Sequence, residues 1–170
     1  MRTFWSGGLV ATSIDELLRA SRLSRSSMYQ CIGNRDTLVR LAVERYVEQQ
    51  VAAIDRLFAA TPFPGALETL LTDAAVDNFG GRGCLLANAL NELHGGEAAA
   101  IAVVREGMAR LAETFRRAIA RGCPECDDAA QRCVEVMAAV VGLRTLQRAG
   151  TEETQLRAAA RRFASALAHD

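Results

Sequence analysis

Residues 13–41, SIDELLRASRLSRSSMYQCIGNRDTLVRL, decide the fold. Ser13 is followed three residues on by Glu16, the spacing of a capping box, in which the serine hydroxyl and the glutamate carboxylate each take a free backbone N–H at the start of a helix. Ile14, Leu17 and Leu18 then fall on one face, so a short helix is expected to end near Ser21. After a turn at Arg22–Leu23, Ser24 can cap a second short helix running to about Gln30. Gly33-Asn34 breaks it, and Asn34 can cap a third. The second helix is polar, with hydroxyls, an arginine and a tyrosine. Leu23, Met28 and Ile32 are expected to face inward and seat it. Two short helices across a tight turn form a helix-turn-helix, whose second helix presents its first residues to the major groove of DNA. Here those residues are Ser24 to Ser27. Arg25 can pair bidentately with guanine, and the hydroxyls of Ser26 and Ser27 can reach bases or phosphates. Tyr29 would sit beside the DNA backbone, and Arg35 lies where free helix N–H groups favour phosphate. The expected DNA contacts are Ser13, Arg25, Ser26, Ser27, Tyr29, Gln30 and Arg35.

Outward from this segment the chain continues to read as helix. Met1–Ser6 looks like the end of a helix closed by Gly7-Gly8. From Asn34 onward Leu38, Leu41, Ala42, Val47, Val51, Ile54 and Phe58 recur at three- and four-residue steps, predicting one helix to about Ala60. Pro62-Phe63-Pro64-Gly65 is the clearest boundary. Further helices are expected over 66–79, 84–93, 97–121 and 128–149, and a last one is expected after Thr151, where Glu152 and Glu153 favour the positive helix start. No alternating Val/Ile/Thr run suggests a sheet. The fold class is therefore all-α. Residues 1–46 are expected to form the helix-turn-helix domain, its first helix shortened, and residues 47–170 a helical body.

The 170 residues carry no net charge, but charge is unevenly placed. Between residues 19 and 45 six arginines face two acids, whereas beyond residue 50 acids outnumber arginines. Positive charge is thus concentrated on the reader, as a nucleic-acid surface requires. No apolar run approaches the ~20 residues that cross a bilayer, and MRTFWSGG lacks the apolar stretch of a signal peptide. No membrane partner and a cytoplasmic location are expected. Five cysteines, an odd number, suit no disulfide framework, and reduced thiols are expected.

Residues 11–38, ATSIDELLRASRLSRSSMYQCIGNRDTL, resemble the TetR/AcrR family of transcriptional regulators, whose pattern is roughly ATSIDELAxAAGVSxGSLYxHFxxKExL. Ser13, Ile14, Leu17, Leu23, Ser24, Ser27, Tyr29 and Leu38 fall in step, and Phe4-Trp5 resembles the aromatic end of the family's first helix. More weakly, GCLLANALNEL and VVGLRTLQRAG are similar to segments of the body in one branch. The departures are specific. Arg22 stands where the family has a turn glycine, which predicts strain there. Ile32 replaces phenylalanine, Cys31 replaces a phosphate-contacting histidine, and Arg35 replaces lysine. Only Met1–Ser6 corresponds to the first helix and its basic arm. The expectation is that the true start lies upstream and that the chain as written binds operator DNA poorly.

The resemblance implies a body that binds a small effector and dimerises through its last two helices. Apolar stripes in those helices name Val134, Val141, Leu146, Leu156, Phe163 and Leu167 as dimer-interface candidates, and Phe79, Leu86, Leu90, Met108, Leu111, Phe115 and Met137 as candidates to line an apolar or amphipathic effector pocket. Partners are then double-stranded operator DNA, the effector and a second copy of the chain, with no cofactor and no metal. Two other readings stand beside this one. A helical dimer could serve as an interaction module without DNA binding, or Cys123 and Cys126, a CxxC pair with Cys133 nearby, could sense thiol oxidation or metal. An enzyme is not expected. No nucleophile–base set, phosphate-cradling loop or spaced carboxylate pair occurs.

Overall fold

The computed structural model describes residues 1–76, 80–93, 98–124 and 128–169. Every regular element among them is an α-helix: α1 (Arg2–Gly7), α2 (Ile14–Ser21), α3 (Arg25–Ile32), α4 (Arg35–Ala60), α5 (Phe63–Ala75), α6 (Leu85–Glu92), α7 (Ala98–Gly122), α8 (Ala129–Arg148) and α9 (Glu153–His169). The fold is all-α.

Helix starts follow the side-chain caps. Ser13 and Glu16 close a full capping box on α2. Ser24 Oγ accepts from the Ser27 N–H at 3.0 Å on α3. Asn34 Oδ1 accepts from the Thr37 N–H on α4, and Asp128 Oδ1 from the Gln131 N–H on α8, both at 2.9 Å. Several boundaries differ from expectation, among them the end of α5, at Ala75 rather than residue 79. Helix α3 runs to Ile32, two residues past Gln30, and is closed by Gly33 at φ 96°. Helix α5 begins at Phe63 rather than Ala66, because a proline within the first turn lacks only an N–H that has no helical partner there. Helix α9 begins at Glu153, with the Glu152 carbonyl accepting from the N–H groups of Gln155 and Leu156, so Glu152 rather than Thr151 occupies the cap position.

The chain forms two compact units, 1–48 with 85–108, and 49–84 with 109–170. In the first, Phe4, Trp5, Leu9, Met28, Val39, Val43, Tyr46 and Val47 are buried, as are Leu85, Leu86, Ala89 and Val104. Trp5 meets Tyr46 edge-on, with ring centroids 5.1 Å apart, a preferred aromatic geometry. Gly107 of α7 is also buried; a Cβ there would lie 3.0 Å from Val47 Cγ2, so the missing side chain lets α7 approach α4 closely. In the second unit α5 packs on α9 and α8, and α8 on α9. Ala66, Leu67, Leu71, Ala74, Val136, Val140, Leu143, Leu156, Ala160 and Ala164 form this core. Alternating large and small residues let the three helices interdigitate. Arg132 is buried as well, and its Nη1 donates to the Leu167 carbonyl, placing a cation at the negative end of α9.

Candidate nucleic-acid interface

The local chemistry of α2 and α3 sets which side chains are free to reach outward. On α2 the Ser13 N–H and hydroxyl donate to Glu16 Oε2 at 2.7 and 2.8 Å, while the Glu16 N–H returns to Ser13 Oγ at 3.2 Å. These bonds hold the Glu16 carboxyl below the usual carboxylate range, the Ser13 backbone N–H contributing most and its hydroxyl next. Ser13 is thus engaged as a cap, and its hydroxyl proton is directed at Glu16. On α3 the hydroxyls of Ser24 and Ser27 lie 2.8 Å apart. Met28 is buried and anchors the helix. Arg25, Ser26, Tyr29 and Gln30 are exposed, Tyr29 at 43%. Three expectations therefore need restating. Ser13 and Ser27 are exposed or half-buried but already hydrogen-bonded locally, and Leu23, expected to face inward, is 42% exposed. Leu23 nevertheless lines an apolar groove with Phe4, Leu17 and Met28, and before it Arg22 adopts the left-handed conformation at φ 56°, ψ 25°. Arg22 is the one non-glycine residue with positive φ among the described residues, as the missing turn glycine predicts.

Arg35 differs more. Its Nη2 donates to the carbonyls of Leu9 at 2.5 Å, Val10 at 3.0 Å and Thr12 at 3.4 Å. Instead of reaching toward phosphate it latches the loop between α1 and α2. From the other side Glu92 Oε2 accepts from the Val10 N–H at 3.2 Å. Neither role is visible in sequence, because the partners lie tens of residues away. The leading cation of α3 also has a partner. Arg25 Nη2 donates to Asp15 Oδ1 of α2 at 2.6 Å, both side chains remaining mostly exposed.

Beneath this surface an apolar groove of about 370 Å³ is lined by Met1, Thr3, Phe4, Leu17, Leu23, Met28, Ile32, Leu38 and Leu41, among others. Burial of the Met1 amine pushes its pKa down. In the second unit a cleft of about 650 Å³ lies among Asp55, Phe58, Thr61, Phe63, Arg117 and Arg121, and a smaller one of about 190 Å³ among Gln50, Ile54, Leu57, Leu70, Asp73 and Arg144. The expected effector-pocket residues line none of these three. Leu86, Leu90 and Met108 belong to the first unit and Leu111, Phe115 and Met137 to the second, with Leu86, Leu111 and Phe115 buried, and Phe79 lies outside the described residues.

Of the dimer candidates, Val134, Leu146 and Phe163 are 61%, 50% and 45% exposed, and Val141 and Leu167 are half-buried. Leu156, at 2%, is committed to the core of its own chain. Cys31, Cys84 and Cys133 are not in disulfides, whereas Cys123 is disulfide-bonded, a correction to the expectation of reduced thiols throughout. Counting cysteines argues against a framework of bridges and says nothing about a single one. Cys126 lies outside the described residues. Cys133 is buried with its Sγ donating to the Ala112 carbonyl, and burial pushes its thiol pKa up. Among the described residues no cluster of His, Cys, Asp and Glu could hold a metal ion. No helix among them is long and apolar enough to cross a membrane.

No family model matches the chain, and no curated protein matches it in sequence. Solved structures do match. A cysteine mutant of the TetR family transcriptional regulator CifR, complexed with 26-base-pair double-strand operator DNA, superposes with a TM-score of 0.84 at 22% identity, over 97% of this chain and 91% of that one. A TetR family transcriptional regulator from Agrobacterium tumefaciens gives 0.82 at 17% identity, over 96% and 90%. One from Cytophaga hutchinsonii gives 0.80 at 19%, over 98% and 88%. The likeness spans nearly the whole chain, and with the capped helix-turn-helix it fixes the architecture: the chain has the fold of the TetR family of transcriptional regulators.

Proposed function

We propose that this chain is a transcriptional regulator that binds double-stranded operator DNA through α2 and α3. The observation that carries this reading is the presentation of α3: Met28 is buried beneath it while Arg25, Ser26, Tyr29 and Gln30 stand exposed, the arrangement a recognition helix needs. The operator DNA bound to a structure of the same fold supports it. In this reading residues 1–46 are the reader and 47–170 the body, and the protein acts in the cytoplasm as a homodimeric repressor on a palindromic site. A small apolar or amphipathic effector then releases it by shifting the spacing of the two recognition helices. The cleft beside Phe58, Phe63, Arg117 and Arg121 has a volume within the range of small-molecule sites, which supports an amphipathic effector.

Fluorescence-anisotropy titration with DNA flanking the chain's own gene, at two salt concentrations, tests this. Selective binding that weakens steeply with salt is the expected result. Absence of binding by the chain and by an upstream-extended form would leave an interaction module that does not bind DNA. A second reading is favoured by the disulfide at Cys123, which follows the last residue of α7. In it the effector is an oxidant, and oxidation of Cys123 changes DNA affinity. Equal operator affinity in the reduced and oxidised states would exclude it.

A further inference from the structure

We propose that Asp15 is a specificity-determining residue that acts through Arg25, restraining the guanidinium so that it binds a matched base pair but not an arbitrary phosphate. The inference rests on the DNA-binding reading above. Its starting point is an electrostatic oddity. Arg25 is the first residue of α3, and no acid stands in that first turn. A cation there opposes the positive end of the helix dipole, so nothing in α3 itself favours it. Asp15 stands in the first turn of α2, where an anion is favoured. The two meet at 2.6 Å across the turn with side chains 58% and 68% exposed, on the surface that carries Ser26, Tyr29 and Gln30.

An exposed pair of this kind contributes little to folding, because water and salt screen it and two side chains lose freedom to make it. Its effect on DNA binding is larger. Asp15 takes a single contact from Nη2 of Arg25, so the second Nη2 proton remains and, paired with Nη1 or Nε, keeps one two-donor edge open to a base. A guanine offers two acceptors that reward a guanidinium held in a fixed plane. A phosphate rewards any nearby cation, and Asp15, an anion at the same surface, repels it. The carboxylate therefore orients Arg25 for one partner and penalises the other, a repulsive element that turns affinity into selectivity.

The test uses the whole chain, a duplex recovered from a random pool by in vitro selection with the unaltered protein, and a scrambled duplex of equal length. Asp15→Asn is expected to raise affinity for the scrambled duplex about threefold to tenfold at low salt, and to steepen its salt dependence by about one unit of slope as Arg25 becomes free for a phosphate. The ratio of selected to scrambled affinity is expected to fall about tenfold. Asp15→Glu, which keeps the charge, should restore most of that ratio. In an Arg25→Gln background, Asp15→Asn should leave the ratio unchanged, since its only route is through the guanidinium. A purely structural strut predicts a different outcome: a lowered melting temperature in Asp15→Asn with the ratio intact, which would overturn the proposal. So would a fall in ratio that persists without Arg25. If selection with the unaltered chain enriches no duplex, the DNA-binding reading itself fails and this inference with it.

Discussion

At the scale of single residues, Arg35 shows how a basic side chain beside a helix-turn-helix can serve the fold. One Nη2 draws three carbonyls of residues 9–12 together, and those carbonyls sit where α1 has ended and α2 has not begun. Hydrogen bonds from a charged donor contribute more than neutral ones, and leaving partly buried carbonyls without a donor adds cost. Arg35→Ala is therefore expected to destabilise the first unit by about 1.5–3 kcal/mol. Urea denaturation followed by the fluorescence of the single tryptophan, Trp5, reads that unit directly. An unchanged midpoint would mean the latch is idle. Arg22 is the opposite case, a residue that costs stability. Its left-handed backbone at φ 56° puts a Cβ where glycine is comfortable. Arg22→Gly should gain up to about 1 kcal/mol, raising the melting temperature by roughly 2–4 °C in a chain of this size. A lower melting temperature would show that the Arg22 side chain does more than tolerate the turn.

At the scale of elements, the capping box of α2 links pH to the stability of the first unit. Accepting from Ser13 holds the Glu16 carboxyl below its ordinary value of 4.5. A carboxylate whose folded pKa is depressed stabilises the fold above its unfolded pKa, and that contribution is lost as pH falls through the folded value. Acid titration of α2 should therefore show a loss of helix below pH 4.5 that Glu16→Gln removes, detectable by comparing the circular dichroism of the two proteins. Identical acid profiles would contradict it. Such caps are also what made the helices legible in sequence. Ser13, Ser24, Asn34 and Asp128 each mark a start within a residue of the observed one, because a cap is a local contact three residues long. Pro64 misled for the same reason in reverse: proline signals a break, yet within a first turn it breaks nothing. What sequence spacing could not show were long-range contacts. Arg35 with residues 9–12, Glu92 with Val10, and Arg25 with Asp15 depend on how elements pack. The grouping of 85–108 with the N-terminal unit is of the same kind.

At the scale of the whole molecule, the outstanding question is what covers the open face of α8. Val134, Ala138, Gly142 and Leu146 follow at steps of four residues, so they form one ridge along the helix. Val134 and Leu146 at its ends are 61% and 50% exposed, Ala138 between them is exposed, and nothing lies within 4 Å of where a Gly142 Cβ would be. On α9 Phe163 is 45% exposed. Large apolar residues at the ends of a ridge with small ones between them suit close approach of another helix, and a second copy of the same face satisfies that in a two-fold dimer. A soluble monomer gains nothing from leaving such a ridge in water. Under the proposed dimer, Leu146→Asp should weaken self-association by about 2 kcal/mol, roughly thirtyfold in the dissociation constant, while leaving helix content intact. Phe163→Asp should act in the same direction. Leu156→Asp is the contrasting variant. Leu156 is 2% exposed, so an aspartate there buries a charge in the chain's own core and should unfold it. Sedimentation velocity at micromolar concentration separates these outcomes. A folded dimer that loses a partner on Leu146→Asp supports the ridge as the interface. A monomer before any substitution, or a dimer indifferent to both open-face variants, would place the contact elsewhere or remove it.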